Sequence, residues 1–325
     1  MDPLRDNDLV VSGIGAVLPP AEAADESWFD HRVELGRRSY KYLPRSGQYV
    51  LAAAKRALAD AGTTMATVPE ERRAVAIGCN NATARIQDEF DRTVLEHGAD
   101  LLSPASAAYF SVNLVAGRVA MEHAARGFSL ALHSPTVAGL EAMQCGLRAV
   151  ARGRADVLLA GATEEPLPPA EPAARRSADG SVALYFERAG AVADRGGRWY
   201  GRCTVRGCYL SPELTGGTAR AGRIIAASIP GPAEPLPVRL VAEASPVADA
   251  VADCLAALGY DPVLRLPTRA GCLDAVRAVA DALRTGTGPC LVVGCAAEGN
   301  VTLTRIDAGG AERGRAVPVS AEAAS

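Results

Sequence analysis

Aromatic residues make up only 5% of this 325-residue chain, so any core must be built from Ala, Val and Leu rather than from stacked rings. No apolar run approaches the length needed to span a bilayer. The eight cysteines form no CxxC pair, which excludes the paired-CxxC zinc sites; they read as reduced, small core residues. Basic residues are not in excess: the formal net charge is −3 and the isoelectric point about 5.9, which argues against nucleic acid and anionic lipid as partners. The N-terminus carries Asp2, Asp6 and Asp8 before its first apolar run, the opposite of a secretory signal, and points to a cytoplasmic protein. Histidine is scarce too. The four are His31, His97, His123 and His133, and none follows.

What is present is organised around Gly127–Glu165. An apolar strand, Phe128–Leu132, runs into the turn His133–Thr136. A helix over Val137–Arg152 follows, then a buried strand, Asp156–Ala162. A strand-to-helix turn of this kind can hold one side chain at a pocket mouth and aim the free N–H groups of the helix at a ligand. The candidate nucleophiles in the turn are Ser134 and Thr136; it contains no cysteine. The pattern recurs at Thr268–Glu298. Matching it to the first copy sets Thr136 against Thr268, Ala138-Gly139 against Ala270-Gly271, and Gly161 against Gly294 after a one-residue slip. Two such halves, 1–165 and 181–325 around a Pro-rich linker at 166–180, predict one α/β unit with an internal two-fold.

Other segments are readable singly. Asp8–Leu18 is a buried strand, and its GIGAV lacks the third glycine of a dinucleotide fingerprint. Trp28–Arg45 is irregular and basic, Gly47–Gly62 an amphipathic helix, Arg73–Cys79 a strand, and Asn80–Thr83 a polar turn that opens a helix ending near His97. Leu101–Arg126 begins as a loop and becomes a helix from about Val112. The adjacent rings of Tyr109 and Phe110 either pack in the core or line a tunnel or subunit interface. Later come strands at Arg198–Leu210, Val238–Val241 and Asn300–Ile306, with a helix at Pro246–Leu258.

The stretches VVSGIGAVLP, YVLAAAKRALADAG, VAIGCNN, NLVAGRVAMEHAARG and the core unit together resemble the β-ketoacyl synthases of the thiolase fold. That resemblance implies a five-layered αβαβα architecture with internal duplication. It also implies a nucleophilic cysteine at the start of the core helix and two histidines from the second half. Thr136 falls at the cysteine position. With no histidine after His133, the two histidine positions fall near Ala244 and Arg265. The Phe-containing gate loop is reduced to Cys295–Asn300, of which only the Gly299-Asn300 end matches. The branch of the family with these losses is the chain length factor, or ketosynthase β-subunit, of type II polyketide synthases, in which glutamine is the usual replacement for the cysteine. The resemblance then implies a heterodimer with an active ketosynthase α-subunit, access to acyl carrier protein through that complex, and no cofactor or metal. It also implies a tunnel and pairing surface that includes Tyr109, Phe110, Val112, Asn113, Leu114 and His133.

Two other readings stay open on the residues. One is an acyl-transfer enzyme using Ser134 or Thr136 with His133 as base. The geometry opposes it, because sequence neighbours in a strand or tight turn point apart. The other is a homodimeric protein that binds acyl chains or a carrier protein.

Overall fold

The computed structural model describes residues 4–20, 26–36, 40–103, 109, 111–214, 219–231, 235–260 and 262–309. In chain order the first half contains β1 (Leu9–Val17), α1 (His31–Leu35), α2 (Arg45–Ala61), β2 (Arg73–Cys79), α3 (Ala84–His97), α4 (Leu114–Glu122), β3 (Phe128–His133), α5 (Ala138–Ala151), β4 (Val157–Glu164) and β5 (Gly180–Arg188). After α6 (Ala189–Asp194) the second half contains β6 (Gly201–Tyr209), α7 (Ala219–Ser228), β7 (Val238–Ala242), α8 (Pro246–Ala257), β8 (Val263–Leu266), α9 (Leu273–Thr285), β9 (Cys290–Cys295) and β10 (Asn300–Ala308).

The strands run in the order β3-β2-β4-β5-β1 and then β6-β10-β9-β7-β8. The two sets meet at one residue pair, Val11 with Gly201, so they are two sheets hinged at an edge. Read from its far end, the second set repeats the first. Its members β8-β7-β9 are parallel, like β3-β2-β4, and β10 and β6 then alternate in direction as β5 and β1 do. The internal duplication is therefore present in topology as well as in sequence.

Three apolar clusters fix the layering. One lies between the sheets and takes residues from α5 and α9 together with inward positions of β2, β4, β5, β6, β9 and β10. A second joins α2 and α4 to the other face of the first sheet, and a third joins α7 and α8 to the other face of the second. The order is helix, sheet, helix, sheet, helix, the five-layered arrangement expected. The period-two alternation of each strand does the sorting. In β2, Ala74 and Ala76 face the central helices while Val75, Ile77 and Cys79 face α2 and α4. Small residues toward the centre let α5 and α9 sit close. At Gly139 a Cβ would lie 2.4 Å from Val276 of α9 and 2.8 Å from Ala162 of β4.

The glycines of GIGAV have a packing reason. A Cβ at Gly13 or Gly15 would stand about 2 Å from the carbonyl oxygens of Ala57 or Ala53, so β1 lies directly against the backbone of α2.

Three expectations change. The segment 166–180 does not divide the halves: β5, which follows it, pairs with β1 and β4, and the change of sheet comes between β5 and β6. The Pro-rich stretch is exposed at 169–172 but then returns to the core, with Ala178 fully buried. The repeat alignment shifts by three residues at the turn, because α5 starts at Ala138 and α9 at Leu273. Gly271, not Thr268, is the counterpart of Thr136. The second turn is two residues longer than the first, which the matching TxAG letters concealed. Within 28–45, α1 is helical, and Trp28 and Phe29 pack on Tyr49 with ring centroids 5.1 and 4.8 Å away.

Candidate functional site

The turn between β3 and α5 carries a strained residue. Thr136 has φ +58°, a conformation that β-branched side chains avoid. The N–H of Val137 donates back to the carbonyl of Pro135 at 2.6 Å, closing a three-residue turn on Thr136. The N–H of Thr136 donates to the carbonyl of Gly271 at 3.1 Å, so the matching turn of the second half holds it in place. The side chain is buried, at 6% exposure. Strain of this kind costs about 1–3 kcal/mol and persists where the surroundings over-determine it.

Ser134 is committed elsewhere. Its hydroxyl donates to Glu141 in the first turn of α5 at 3.0 Å, and the Asn300 side-chain amide donates to the other carboxylate oxygen at 3.0 Å. Glu141 thus ties the β3–α5 turn to the Gly299-Asn300 end of the β9–β10 turn. His133 ends β3 and is exposed.

Beneath the two turns lies Glu164, the last residue of β4, with no exposed surface. Its carboxylate accepts the backbone N–H groups of Asn80 (2.8 Å), Asn81 (2.6 Å) and Cys272 (2.8 Å). Burial pushes its carboxyl up to about 7, and the hydrogen bonds from Asn81, Cys272 and Asn80 act in the opposite direction. The thiols beside it are inert. Burial, reinforced by Glu164, pushes Cys79 up to about 12 and Cys272 well above the ordinary thiol range. Sequence reading missed Glu164. The signal was available: a fully apolar strand that ends in the acidic pair Glu164-Glu165.

The two positions matched to histidines both lie in the second half, around β7 and β8. Ala244 lies in the short turn after β7, next to Ser245, whose hydroxyl caps α8. Arg265 is in β8 at the edge of the second sheet, half-exposed and ion-paired with Asp249 of α8 at 2.8 Å. The residue bonded to Thr136 from the second half is Gly271. Of the surface residues, Tyr109 and Val112 lie half-buried against the cluster of α2 and α4. Asn113 is exposed just before α4, and Leu114 begins that helix. Phe110 lies outside the described residues. Leu95, Leu101 and Met121 are exposed, and among the described residues β3 pairs with β2 alone.

A cavity of about 630 Å³ lies at the other end of α5, lined by Leu147, Val150, Arg188, Arg202, Arg305 and Asp307. Among the described residues no group of three or more His, Cys, Asp or Glu side chains could hold a metal ion. No helix among them is long and apolar enough to cross a membrane.

With this geometry in hand, comparisons with known proteins agree. Residues 23–197, just over half of the chain, match the family described as beta-ketoacyl synthase, N-terminal domain. The chain is 30% identical over 143 residues to the tetracenomycin polyketide synthase ketoacyl synthase alpha subunit of Streptomyces glaucescens, a match covering 42% of this chain and 33% of that protein. It is 23% identical over 188 residues to 3-oxoacyl-[acyl-carrier-protein] synthase 2 of Vibrio cholerae, covering 48% and 45%. The matches therefore span less than half the length of these relatives. Among solved structures, a type II PKS acyl-carrier protein in complex with its ketosynthase bound to the hexaketide matches with TM-score 0.73 at 14% identity, covering 94% of this chain and all of that one. The ishigamide ketosynthase/chain length factor matches with TM-score 0.69 at 19% identity, covering 93% and 100%.

Proposed function

Because the chain belongs to the β-ketoacyl synthase family, we propose that it acts as a chain length factor, a non-catalytic partner that pairs with an active ketosynthase and shapes its acyl tunnel in type II polyketide synthesis. The observation that carries this reading is the occupant of the elbow. A strained strand-to-helix turn is present, but the residue it carries is Thr136, a hydroxyl that needs an adjacent base to act as a nucleophile. Burial pushes the Cys79 and Cys272 thiols beside Glu164 up, and no histidine occurs after His133 to assist a decarboxylation. The likeness of the whole chain to a ketosynthase/chain length factor structure supports the same reading.

Pairing is assigned to the open edge of β3 with 101–114. An edge strand reading FSLALH, packed by α4 with its exposed Met121, is a surface that a monomer does not readily leave bare. The partner is an active ketosynthase α-subunit, and acyl carrier protein meets the complex rather than this chain alone. The setting is the cytoplasm, and no cofactor is required. The test is reconstitution with an active type II ketosynthase α-subunit. The pair should elongate malonyl units and the isolated chain should not. Condensation by the isolated chain would overturn the proposal.

The acyl-transfer alternative loses its base in this geometry, since Ser134 donates to Glu141 and His133 faces outward.

A further inference from the structure

We infer that Glu164 is a positioning residue: it holds the Thr136 elbow in its left-handed conformation by fixing the facing turn of the second half. The inference does not depend on which activity the elbow serves.

The connection runs through named bonds. Glu164 joins three chain segments with one carboxylate, taking Asn80 and Asn81 from the turn after β2 and Cys272 from the start of α9. Asn81 adds a second tie, its side-chain amide donating to the carbonyl of Ala270 at 2.9 Å. Between these two anchored points stands Gly271, at φ +131°, where a Cβ would lie 3.0 Å from the Glu164 carboxyl group. Only glycine fits that backbone and that distance. Gly271 is thereby held from both sides, and its carbonyl is the acceptor for Thr136. Glu164 acts on Thr136 through Cys272 and Gly271.

A carboxylate with no exposed surface is kept only where its neighbours are arranged for it. Three backbone donors from both halves of the duplication are that arrangement. The titratable groups facing Glu164 are Cys79 from β2 and Cys272 from α9, with Glu165 next to it in the chain and bonded to the backbone N–H of Ser46.

The test is amide hydrogen exchange, read by mass spectrometry, on the full chain and its Glu164→Gln and Glu164→Asp variants. Gln keeps one acceptor oxygen and turns an NH₂ group toward backbone donors. Asp keeps the charge but withdraws it by one methylene. In both, peptides covering 134–138 and 270–273 should exchange about tenfold faster or more, while peptides from α2 and β7 keep their wild-type rates. The peptide at 134–138 is the decisive one, because a merely local packing role for Glu164 would leave it unchanged. Unchanged protection there, or equal loss of protection throughout the chain, would overturn the assignment. Asp remains as the second measurement should the Gln variant fail to fold.

Discussion

Thr136 is a residue whose backbone strain can be released and weighed. Its φ of +58° suits glycine, and its amide is bonded in a way that glycine can reproduce. Thr136→Gly should therefore raise stability by about 1 kcal/mol, the relieved strain exceeding the entropy cost of a glycine and the loss of a small buried side chain. Chemical denaturation of the two proteins measures this, and an unchanged or lower midpoint would mean the turn is not strained. Glu164 gives a second test at the same scale. Its folded carboxyl titrates at about 7, above its unfolded value of 4.5, because burial disfavours the charge. A raised value contributes stability that is full below the unfolded pKa and is lost as pH rises through the folded one. The melting temperature of the wild type relative to Glu164→Gln should accordingly fall from about pH 5 to about pH 8. A constant difference would show that Glu164 ionises as freely folded as unfolded. The strain at Thr136 leaves no mark in the sequence, and the acidic pair that ends β4 shows a carboxylate but not its partners. Strain at 136 depends on Gly271, and the burial of Glu164 on Asn81 and Cys272, all set by long-range packing.

At the scale of elements, local pattern was enough for most of the chain. The apolar face of 47–62 gave α2 within two residues, and Arg73–Cys79 is β2 as read. The central position of α5 was legible because Ala138, Gly139, Ala142 and Gly146 leave room on several sides, and all four are buried. What failed was register between distant segments. The Thr268 match and the linker at 166–180 rest on letters and composition, and neither reports how many residues a turn needs to bring Gly271 opposite Thr136. The close crossing of α5 and α9 supplies a prediction. Gly139→Val would drive a branched side chain into Val276 and Ala162, where even a Cβ would sit at 2.4 and 2.8 Å. It should destabilise by about 3 kcal/mol or prevent folding, whereas the same change at the open Gly117 of α4 should cost about 1 kcal/mol or less. Comparable losses at both sites would contradict the central-layer packing. The other element with a consequence is β3. If its open edge and the start of α4 form the pairing surface, Val112→Asp should abolish co-purification with the ketosynthase while leaving this chain's own sheet order intact. Normal complex formation would move the interface elsewhere.

For the whole molecule, the duplicated scaffold separates shape from chemistry. Both sheets, the buried helix pair and the elbow are retained, while the elbow offers a hydroxyl in place of a thiol. Such a chain can still present a surface and a boundary to a partner's tunnel. If Tyr109, half-buried within the proposed pairing segment, forms part of that boundary, Tyr109→Ala should lengthen the product of the pair. The central claim, that this subunit shapes the reaction without performing it, is tested most directly by knocking out each subunit's elbow residue in turn. The measurement is the condensation rate of the reconstituted pair, with intact-mass analysis of both chains after loading with acyl carrier protein. Thr136→Ala should leave the rate within about twofold and no acyl adduct should appear on this chain, whereas replacing the partner's nucleophile should abolish turnover. Loss of condensation in Thr136→Ala, or an acyl mass on this chain, would contradict the account.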